Sequence, residues 1–300
     1  MTRQTKTFLL ERFREMGIRP ATRHGQNFLI DLNLVQIIVD TAELTGDDVV
    51  LEVGTGTGSL TALMAARAAA VVTVEIDAHL FELASEQLID LPNVTMLRLD
   101  ALRNKNAIDD RVMDAVGEKL AAAPGRRFKL VANLPYNIAT PLISNLLLAP
   151  HVPHSMTVTI QKELADRITA APSTKDYSAL SVWIQSQCRA KIVRILPPSV
   201  FWPMPKVSSA ILRIVVDNDR RARIADLPFF HQITKALFLH RRKFLRANIV
   251  AAMKQHLDKK QVDLLLDEMG FSPDTRTEQL DVDTLIQLAD RIRTLAPDWK

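Results

Sequence analysis

Residues 51–61 read L-E-V-G-T-G-T-G-S-L-T, and this stretch decides the fold. The residues before the glycines, 47–53, are apolar and β-branched, which predicts a short buried strand. The residues after them, 59–69, are rich in Leu, Ala and Met, which predicts a helix with Ser59 as its candidate cap. Glycine lets the backbone turn tightly and approach a ligand, because no Cβ is in the way. The free N–H groups at the start of the helix would then face that ligand.

The spacing of the glycines at positions 54, 56 and 58 separates the nucleotide-like ligands that such a loop could hold. The dinucleotide fingerprint G-x-G-x-x-G needs a glycine where this chain has Ser59. The phosphate-binding P-loop needs a G-K-[ST] ending, which is absent. The pattern that remains, E-x-G-x-G-x-G, resembles motif I of S-adenosylmethionine-dependent methyltransferases. A purely structural turn is the alternative.

The composition is that of an ordinary globular protein with material for two domains. Of 300 residues, 47% are hydrophobic and 24% are charged, and the net charge is +4. The single Cys188 excludes an internal disulfide framework and a cysteine-rich metal site, so we expect a reducing, cytoplasmic setting and no metal. The uncharged run 130–161 is interrupted by Asn and Pro, so we expect no membrane span.

Short apolar runs alternate with helical runs up to residue 217. This alternation predicts an α/β fold, in which a doubly wound, mostly parallel seven-stranded sheet carries helices on both faces. Beyond that point the strand signals stop, and residues 226–296 have helical periodicity. The predicted regions are a basic N-terminal lead-in (1–23), a catalytic domain (24–217) and a small C-terminal all-helical domain (218–300).

Four candidate sites each follow a predicted strand of their own: the glycine loop, Glu75, Asp100 and the tetrapeptide at 133–136. Ligands in such sheets lie outside the carboxyl ends of the strands, so we expect the four sites to share one edge. Glu75 could accept hydrogen bonds from ribose hydroxyls and Asp100 from the amino group of adenine. The plainer alternatives are a solvated acid for Glu75 and a helix N-cap for Asp100.

The tetrapeptide Asn133-Leu134-Pro135-Tyr136 suits chemistry on an adenine amine. That amine is a poor nucleophile, because its lone pair is delocalised into the ring. The Asn133 oxygen and a backbone carbonyl at Leu134 or Pro135 could accept its two hydrogens and hold the lone pair toward a methyl donor. Pro135 fixes that backbone, and Tyr136 offers a flat face for an unstacked base. On composition alone, an ordinary β-turn is the better interpretation.

Taken together, seven motifs resemble those of the KsgA-type ribosomal RNA small-subunit adenine dimethyltransferase family, in order from about residue 23 to about residue 290. One departure is Leu99, where the family usually has Gly before the Asp. The motifs are Q-N-F-L-x-D (26–31), E-x-G-x-G-x-G-x-L-T (52–61), V-E-I-D (74–77), D-A-L (100–102), N-L-P-Y (133–136), F-x-P-x-P-x-V-x-S-A (201–210) and F-L-H-R-R-K-F-L-R-A-N (238–248).

The resemblance implies a class I, Rossmann-like methyltransferase that uses S-adenosylmethionine as methyl donor. The target adenosine would be held at Asn133, Pro135 and Tyr136, with Phe201 packed near the flipped base. The last of these motifs, 238–248, contains a basic run, and it would contact RNA through Arg241, Arg242 and Lys243. The implied cofactor contacts are Asn27, Leu29, Gly54, Gly56, Glu75, Asp100 and Asn133.

The expected reaction is dimethylation of the 6-amino groups of two adjacent adenosines in the 3′-terminal hairpin of small-subunit (16S) ribosomal RNA. The expected partner is a 30S precursor subunit, with a role in small-subunit biogenesis, and the chain is expected to be monomeric. One alternative is a large-subunit ribosomal RNA adenine methyltransferase of the antibiotic-resistance type. Others are a non-catalytic ribosome-assembly or transcription factor and a small-molecule methyltransferase, although the last leaves the basic helical region unexplained.

Overall fold

The computed structural model describes residues 7, 11, 13, 14 and 27–299. The four described positions in the N-terminal region are helical, and the lead-in is predicted to be partly helical around residues 8–16. The rest of the predicted lead-in and Gln26, which begins the Q-N-F-L-x-D motif, lie outside the described residues.

Strands and helices are numbered here in chain order. The strands are β1 (Phe28–Leu29), β2 (Asp48–Val53), β3 (Ala70–Glu75), β4 (Val94–Arg98), β5 (Leu102–Asn104), β6 (Ala107–Ile108), β7 (Arg127–Asn133), β8 (Ser155–Gln161), β9 (Cys188–Leu196), β10 (Phe201–Trp202) and β11 (Ser209–Val216). The helices are α1 (Leu32–Thr41), α2 (Ser59–Ala65), α3 (Ala78–Leu88), α4 (Asp110–Ala121), α5 (Ala139–Leu146), α6 (Lys162–Thr169), α7 (Ala179–Gln185), α8 (Asn218–Ala222), α9 (Leu227–Leu237), α10 (Leu245–Ala252), α11 (Lys259–Glu268) and α12 (Val282–Leu295).

Seven strands form the main sheet in the order β4-β3-β2-β7-β8-β11-β9. Strand β2 pairs in parallel with β3 and with β7, and β8 pairs in parallel with β7 and antiparallel with β11. Every residue of β2 and β3 is buried, as expected of central parallel strands covered on both faces. The predicted α/β fold with a mostly parallel seven-stranded sheet is therefore confirmed.

The strand order changes direction at β2. Strand β3 follows β2 in the chain and lies on one side of it, whereas β7 arrives after a long crossover and lies on the other side. Open α/β sheets bind ligands at such a switch point, beyond the carboxyl ends of the strands. The glycine loop follows β2, and the tetrapeptide at 133–136 begins at the last residue of β7.

A short antiparallel pair, β1 with β10, was not predicted from the sequence. It aligns Phe28 with Trp202 and Leu29 with Phe201, and the Ile30 N–H donates to the Val200 carbonyl at 3.0 Å. The pairing joins the Q-N-F-L-x-D motif to the F-x-P-x-P loop, which are distant in sequence. Strands of two residues carry no periodicity, so nothing in the sequence could have indicated the pair.

Contacts divide the chain into two compact units. The first combines the residues up to Ala165 with Lys191–Val215, and the second combines Asp166–Ala190 with Val216–Lys300. The sequence interpretation drew one boundary, after residue 217, and left 166–190 in the first domain. The segment belongs to the second unit because Trp183 of α7, 1% exposed, packs there against Phe230 and His231.

The second unit is helical beyond residue 217, as predicted. The basic run lies in a turn, 238–244, between α9 and α10, not on a helix. None of the described helices is long and apolar enough to cross a membrane.

Candidate active site

The glycine loop joins β2 to α2. Gly54 has a φ of +86°, and its N–H donates to the Val74 carbonyl at 2.8 Å. A Cβ on Gly54 would lie 3.4 Å from the ring of Pro135, and one on Gly56 would lie 3.4 Å from the ring of Phe28. Those distances are ordinary contacts, so the positive φ at Gly54 and at Gly56 (+56°), which L side chains rarely adopt, is what requires glycine in the loop. Gly58, not Ser59, occupies the N-cap position of α2.

Glu75 lies at the end of β3 and fastens the glycine loop. Its Oε2 accepts from the N–H of Gly56 at 3.0 Å, and its Oε1 accepts from the N–H of Asp77 at 3.0 Å. Burial raises the pKa of Glu75, and the N–H groups of Asp77 and Gly56 oppose that rise. Each carboxylate oxygen can accept a second hydrogen bond, so Glu75 can hold the loop and bind a ligand hydroxyl together.

Glu52 is a buried acid beneath the loop whose importance the sequence interpretation missed. It is 1% exposed, and its Oε2 accepts from the hydroxyls of Thr61 at 2.5 Å and Thr73 at 2.6 Å. Burial raises the pKa of Glu52 to about 8. These contacts tie β2 to α2 and β3 at the base of the loop. An acid inside an apolar strand was the signal that could have identified it.

Asp100 follows β4 and lies on the same edge. Its Oδ1 accepts from the N–H of Leu102 at 2.9 Å. The next element is the short strand β5, so Asp100 is not the helix N-cap that was its alternative interpretation. Leu99, the departure from the family pattern, lines the cleft beside it.

Asn133 is the last residue of β7. Its side-chain nitrogen donates to the backbone carbonyl of Asn27 at 2.8 Å. This bond orients the amide and leaves its oxygen as the acceptor for a ligand hydrogen. Asn27, a predicted cofactor contact, therefore also orients the Asn133 side chain through its backbone carbonyl.

The backbone after Asn133 turns away from the sheet. The Leu134 N–H donates to the Thr159 carbonyl of β8 at 3.1 Å, and the Pro135 carbonyl accepts from the N–H of Ile138 at 3.1 Å. The sequence interpretation left Leu134 and Pro135 open as the carbonyl that binds the adenine amine. Because the Pro135 carbonyl already closes a turn, Leu134 is the better candidate.

Tyr136 is half-buried, and its hydroxyl lies 2.7 Å from the hydroxyl of Ser209. Burial raises the pKa of the Tyr136 phenol, and the bond to Ser209 opposes that rise. The phenol is therefore neutral at physiological pH. Ser209 is 73 positions away, and no sequence signal could have paired the two residues.

One cleft, open to solvent, brings most of the predicted site residues together. Its described lining includes three acids, Glu52, Glu75 and Asp100, and no Lys, Arg or His. Glu52, with a pKa of about 8, is largely protonated at neutral pH, so Glu75 and Asp100 are the acids that suit a ligand carrying positive charge. The predicted residues that line it are Asn27, Leu29, Gly54, Gly56, Glu75, Asp100, Asn133, Pro135 and Tyr136.

Phe201 does not line this cleft. Its side chain is 2% exposed and packs in the core with Leu29, Val35 and Ile38. A buried ring has no face available for a base, so the predicted packing against a flipped adenine does not hold. Phe201 instead anchors β10 against β1.

The predicted RNA contacts Arg241, Arg242 and Lys243 lie in the second unit, and their contacts differ. The Arg241 guanidinium donates to Glu278 at 3.2 Å and to the carbonyl of Lys175 at 2.6 Å. Arg241 is thereby committed to holding its own unit together. Arg242 and Lys243 are exposed.

Comparison with known proteins identifies the family. A family model described as ribosomal RNA adenine dimethylase matches residues 19–294. The chain belongs to this family. A relative within it, ribosomal RNA small subunit methyltransferase A of Streptococcus pneumoniae (strain CGSP14), is 40% identical over 271 residues, which is 90% of each protein.

Solved structures agree with the dimethylase fold. A dimethyladenosine transferase from Plasmodium falciparum superposes with a TM-score of 0.72 at 22% identity, covering 88% of this chain and 97% of that one. The 23S rRNA methyltransferase ErmE superposes with a TM-score of 0.60 at 26% identity, covering 88% and 99%. The predicted family and class I methyltransferase fold are confirmed.

As a ribosomal RNA adenine dimethylase, the protein is a methyltransferase that uses S-adenosylmethionine and acts on ribosomal RNA. The cleft fits that cofactor. Its sulfonium carries a positive charge that matches Glu75 and Asp100, and its nucleoside offers hydroxyl and amino hydrogens to these two side chains. A Cβ on Gly54 would contact Pro135, and one on Gly56 would contact Phe28. Both of these residues line the cleft, so glycine at the two positions leaves more space for the cofactor.

Proposed function

We propose that this dimethylase transfers methyl groups to the 6-amino groups of two adjacent adenosines in the 3′-terminal hairpin of small-subunit (16S) ribosomal RNA. Two observations support the proposal: the 40% identity to a protein named for the small subunit, and the convergence of Glu75, Asp100 and Asn133 on one cleft. The shared cleft supports the proposed methyl transfer to an adenine amine, and the sequence identity supports the choice of small-subunit RNA as substrate.

In this proposal, one part of the sheet edge binds the cofactor and the other part binds the target base. Glu75 accepts from the ribose hydroxyls and Asp100 from the adenine amino group of the cofactor, beside Asn27, Leu29 and the glycine loop. When bound, S-adenosylmethionine supplies an electrophilic methyl group on a positively charged sulfur. Glu75 and Asp100 stabilise that charge through space, whereas Glu52, with a pKa of about 8, is largely protonated at neutral pH.

The tetrapeptide at 133–136 would act on the target base. The Asn133 oxygen and the Leu134 carbonyl accept the two hydrogens of the amine, which turns its lone pair out of conjugation and toward the methyl group. Tyr136 stacks on the base, a contact worth about 1–3 kcal/mol in other proteins. No strong general base is needed, because the amine proton becomes acidic as the methyl group arrives. Positioning then supplies much of the rate acceleration.

The proposal assigns residues 24–217 to cofactor binding and catalysis, and the helical region beyond them to RNA binding. Arg242 and Lys243 contact phosphates, and such contacts weaken as salt rises. The target adenosines must leave any stack to react, so a hairpin loop is a suitable substrate. We further propose a monomer that acts in the cytoplasm on a 30S precursor.

Incubating under-methylated small subunits with labelled methyl donor, followed by nucleoside analysis, tests the reaction. We expect dimethyladenosine in small-subunit RNA, with no product from an Asn133→Ala control. Primer extension on RNA from a deletion strain maps the sites. Loss of methylation in large-subunit RNA would instead support the antibiotic-resistance type of methyltransferase. A growth phenotype that Asn133→Ala fully complements would support a scaffold role.

A further inference from the structure

We propose that Ser209 is a positioning residue for methyl transfer, whose hydroxyl holds the Tyr136 ring in the orientation that receives the target adenine. The inference rests on the proposed stacking role of Tyr136. It adds a residue outside the tetrapeptide and a reason why the aromatic residue is tyrosine.

The contact is short and sheltered. The Tyr136 Oη and Ser209 Oγ lie 2.7 Å apart, and Ser209 is fully buried while Tyr136 is half-buried at the cleft. Water therefore does not replace this partner easily on the serine side. Removing one hydroxyl leaves the other polar group without its partner, which makes the pair a specific constraint on the ring.

Ser209 is held by the sheet. It is the first residue of β11, directly opposite Gln161 in the antiparallel pair with β8. The neighbouring Ser208 carbonyl also accepts from the N–H of Lys162 at 2.9 Å. Strand β11 lies between β8 and β9 in the sheet, so a hydroxyl on it has a fixed position, and sites on rigid elements keep their geometry better than sites on loops.

The backbone beside Tyr136 is attached to β8, the strand that pairs with β11. The Leu134 N–H donates to the Thr159 carbonyl of β8, two residues before Gln161. The main chain leading into Tyr136 is thus bonded to β8 itself. The hydroxyl of the Tyr136 side chain is bonded to Ser209, which lies opposite the last residue of β8. The ring face consequently has a defined position relative to Asn133, the last residue of β7, which pairs with Thr159.

A hydroxyl is not needed for stacking, since the face of a phenylalanine ring stacks on a base equally well. What the hydroxyl adds is restraint before the base arrives, so that less side-chain freedom is lost when the base binds. The expected effect of losing the bond is therefore confined to the adenine. Cofactor binding at the glycine loop and phosphate contacts elsewhere should not change.

The experiment compares Ser209→Ala, Tyr136→Phe, the double variant, Ser209→Thr and Tyr136→Ala in the full-length protein. Ser155→Ala is the matched control, because Ser155 is a buried serine at the opposite end of β8, 3% exposed. The measurements are kcat and KM with under-methylated subunits, Kd for S-adenosylmethionine and for RNA, and fluorescence of 2-aminopurine at the target position. Circular dichroism and thermal unfolding check the fold of each variant.

We expect Ser209→Ala and Tyr136→Phe each to lower kcat/KM for RNA by about three- to tenfold, the range that one neutral hydrogen bond supplies. Both should raise 2-aminopurine fluorescence in the complex, because the base stacks less. The double variant should be no worse than either single variant, and Ser209→Thr should restore part of the loss. Ser155→Ala, and the Kd values of every Ser209 variant, should match the wild type.

Wild-type kinetics and fluorescence for both Ser209→Ala and Tyr136→Phe would overturn the inference, as would losses that multiply in the double variant. A changed Kd for S-adenosylmethionine in Ser209→Ala would reduce Ser209 to a structural role. If Ser209→Ala fails to fold, Tyr136→Phe decides through the fluorescence readout. Wild-type activity of Tyr136→Ala would refute the stacking role itself, whereas its loss together with normal Tyr136→Phe would refute only the positioning by Ser209.

Discussion

The side-chain nitrogen of Asn133 donates a 2.8 Å hydrogen bond to the backbone carbonyl of Asn27. An amide has one donor end and one acceptor end, so this bond assigns the oxygen to the substrate side. Asn133→Ala removes both ends, and we expect methylation to fall by roughly 100-fold or more, as when a single preorganised group is lost from other active sites. RNA binding by filter retention should be unchanged.

Asn133→Asp provides the matched control for that orientation. A carboxylate keeps the size of the side chain and an acceptor oxygen, but it cannot donate to the Asn27 carbonyl. We expect it to be nearly as impaired as the alanine variant. Substantial activity in Asn133→Asp would mean that the bond to Asn27 does not orient the residue.

Glu75 is expected to determine affinity for the cofactor. Glu75→Gln keeps an acceptor for the Gly56 N–H but loses the charge, so Kd for S-adenosylmethionine should rise about tenfold or more, as expected for a hydrogen bond to a charged group. Isothermal titration calorimetry measures it directly. Glu163→Gln, an acid outside the cleft lining, serves as control, and equal Kd values for the two variants would contradict the assignment.

The buried Glu52 gives stability a dependence on pH. Its pKa is about 8 in the folded protein against 4.5 in the unfolded chain, so the folded state binds the extra proton between those values. Its contribution is fully present below pH 4.5 and is lost as pH rises through 8, at about 1.4 kcal/mol per pH unit. Glu52→Gln should remove that slope, and denaturant unfolding from pH 6 to 9 would show it. Parallel curves for variant and wild type would contradict the burial effect.

His231 should make the folded protein less stable as the pH falls, whereas Glu52 makes it less stable as the pH rises. Burial lowers its pKa to about 4, with Lys235 contributing, and the ring stacks on Trp183 at 4.3 Å. The unfolded chain binds the extra proton between pH 4 and 6.5, so stability falls on acidification through that window. His231→Phe keeps an aromatic ring on Trp183 and should reduce the loss. The readout is the difference in unfolding free energy between variant and wild type at pH 6.5 and at pH 4.5.

In the basic turn, 238–244, we expect Arg242 and Lys243 to affect RNA binding and Arg241 to affect the stability of the fold. Arg242→Ala and Lys243→Ala should each weaken RNA binding and reduce the slope of log K against log salt by roughly 1. Arg241→Ala should instead lower the thermal midpoint, because it loses Glu278 and the Lys175 carbonyl. Lys254→Ala, an exposed lysine elsewhere in the second unit, is the control. A salt slope unchanged in both Arg242→Ala and Lys243→Ala would exclude this turn from the RNA interface.

The main sheet was predictable because its central strands are uninterrupted apolar runs. Strand β2, Asp48–Val53, lies within the run 47–53 that predicted it. Parallel topology then followed from the alternation with helices, and it placed the strand-end residues on one edge. That is why Glu75, Asp100 and Asn133 could be grouped before any geometry was known.

The failures share a physical cause, which is that contact between distant residues leaves no local pattern. Phe201 is buried in the core once β10 pairs with β1, and neither strand is long enough to show a period. Arg241 and Arg242 are adjacent and chemically identical, so only the position of Glu278 separates their roles. Ser209 gains its importance from Tyr136 alone.

The acid-lined cleft has a consequence for the design of inhibitors. A nucleoside that replaces the sulfonium with a protonated amine keeps the attraction of Glu75 and Asp100, whereas the neutral thioether left after each turnover does not. The spent cofactor should consequently exchange readily for fresh donor. A competitive compound gains most from carrying a permanent cation at that position.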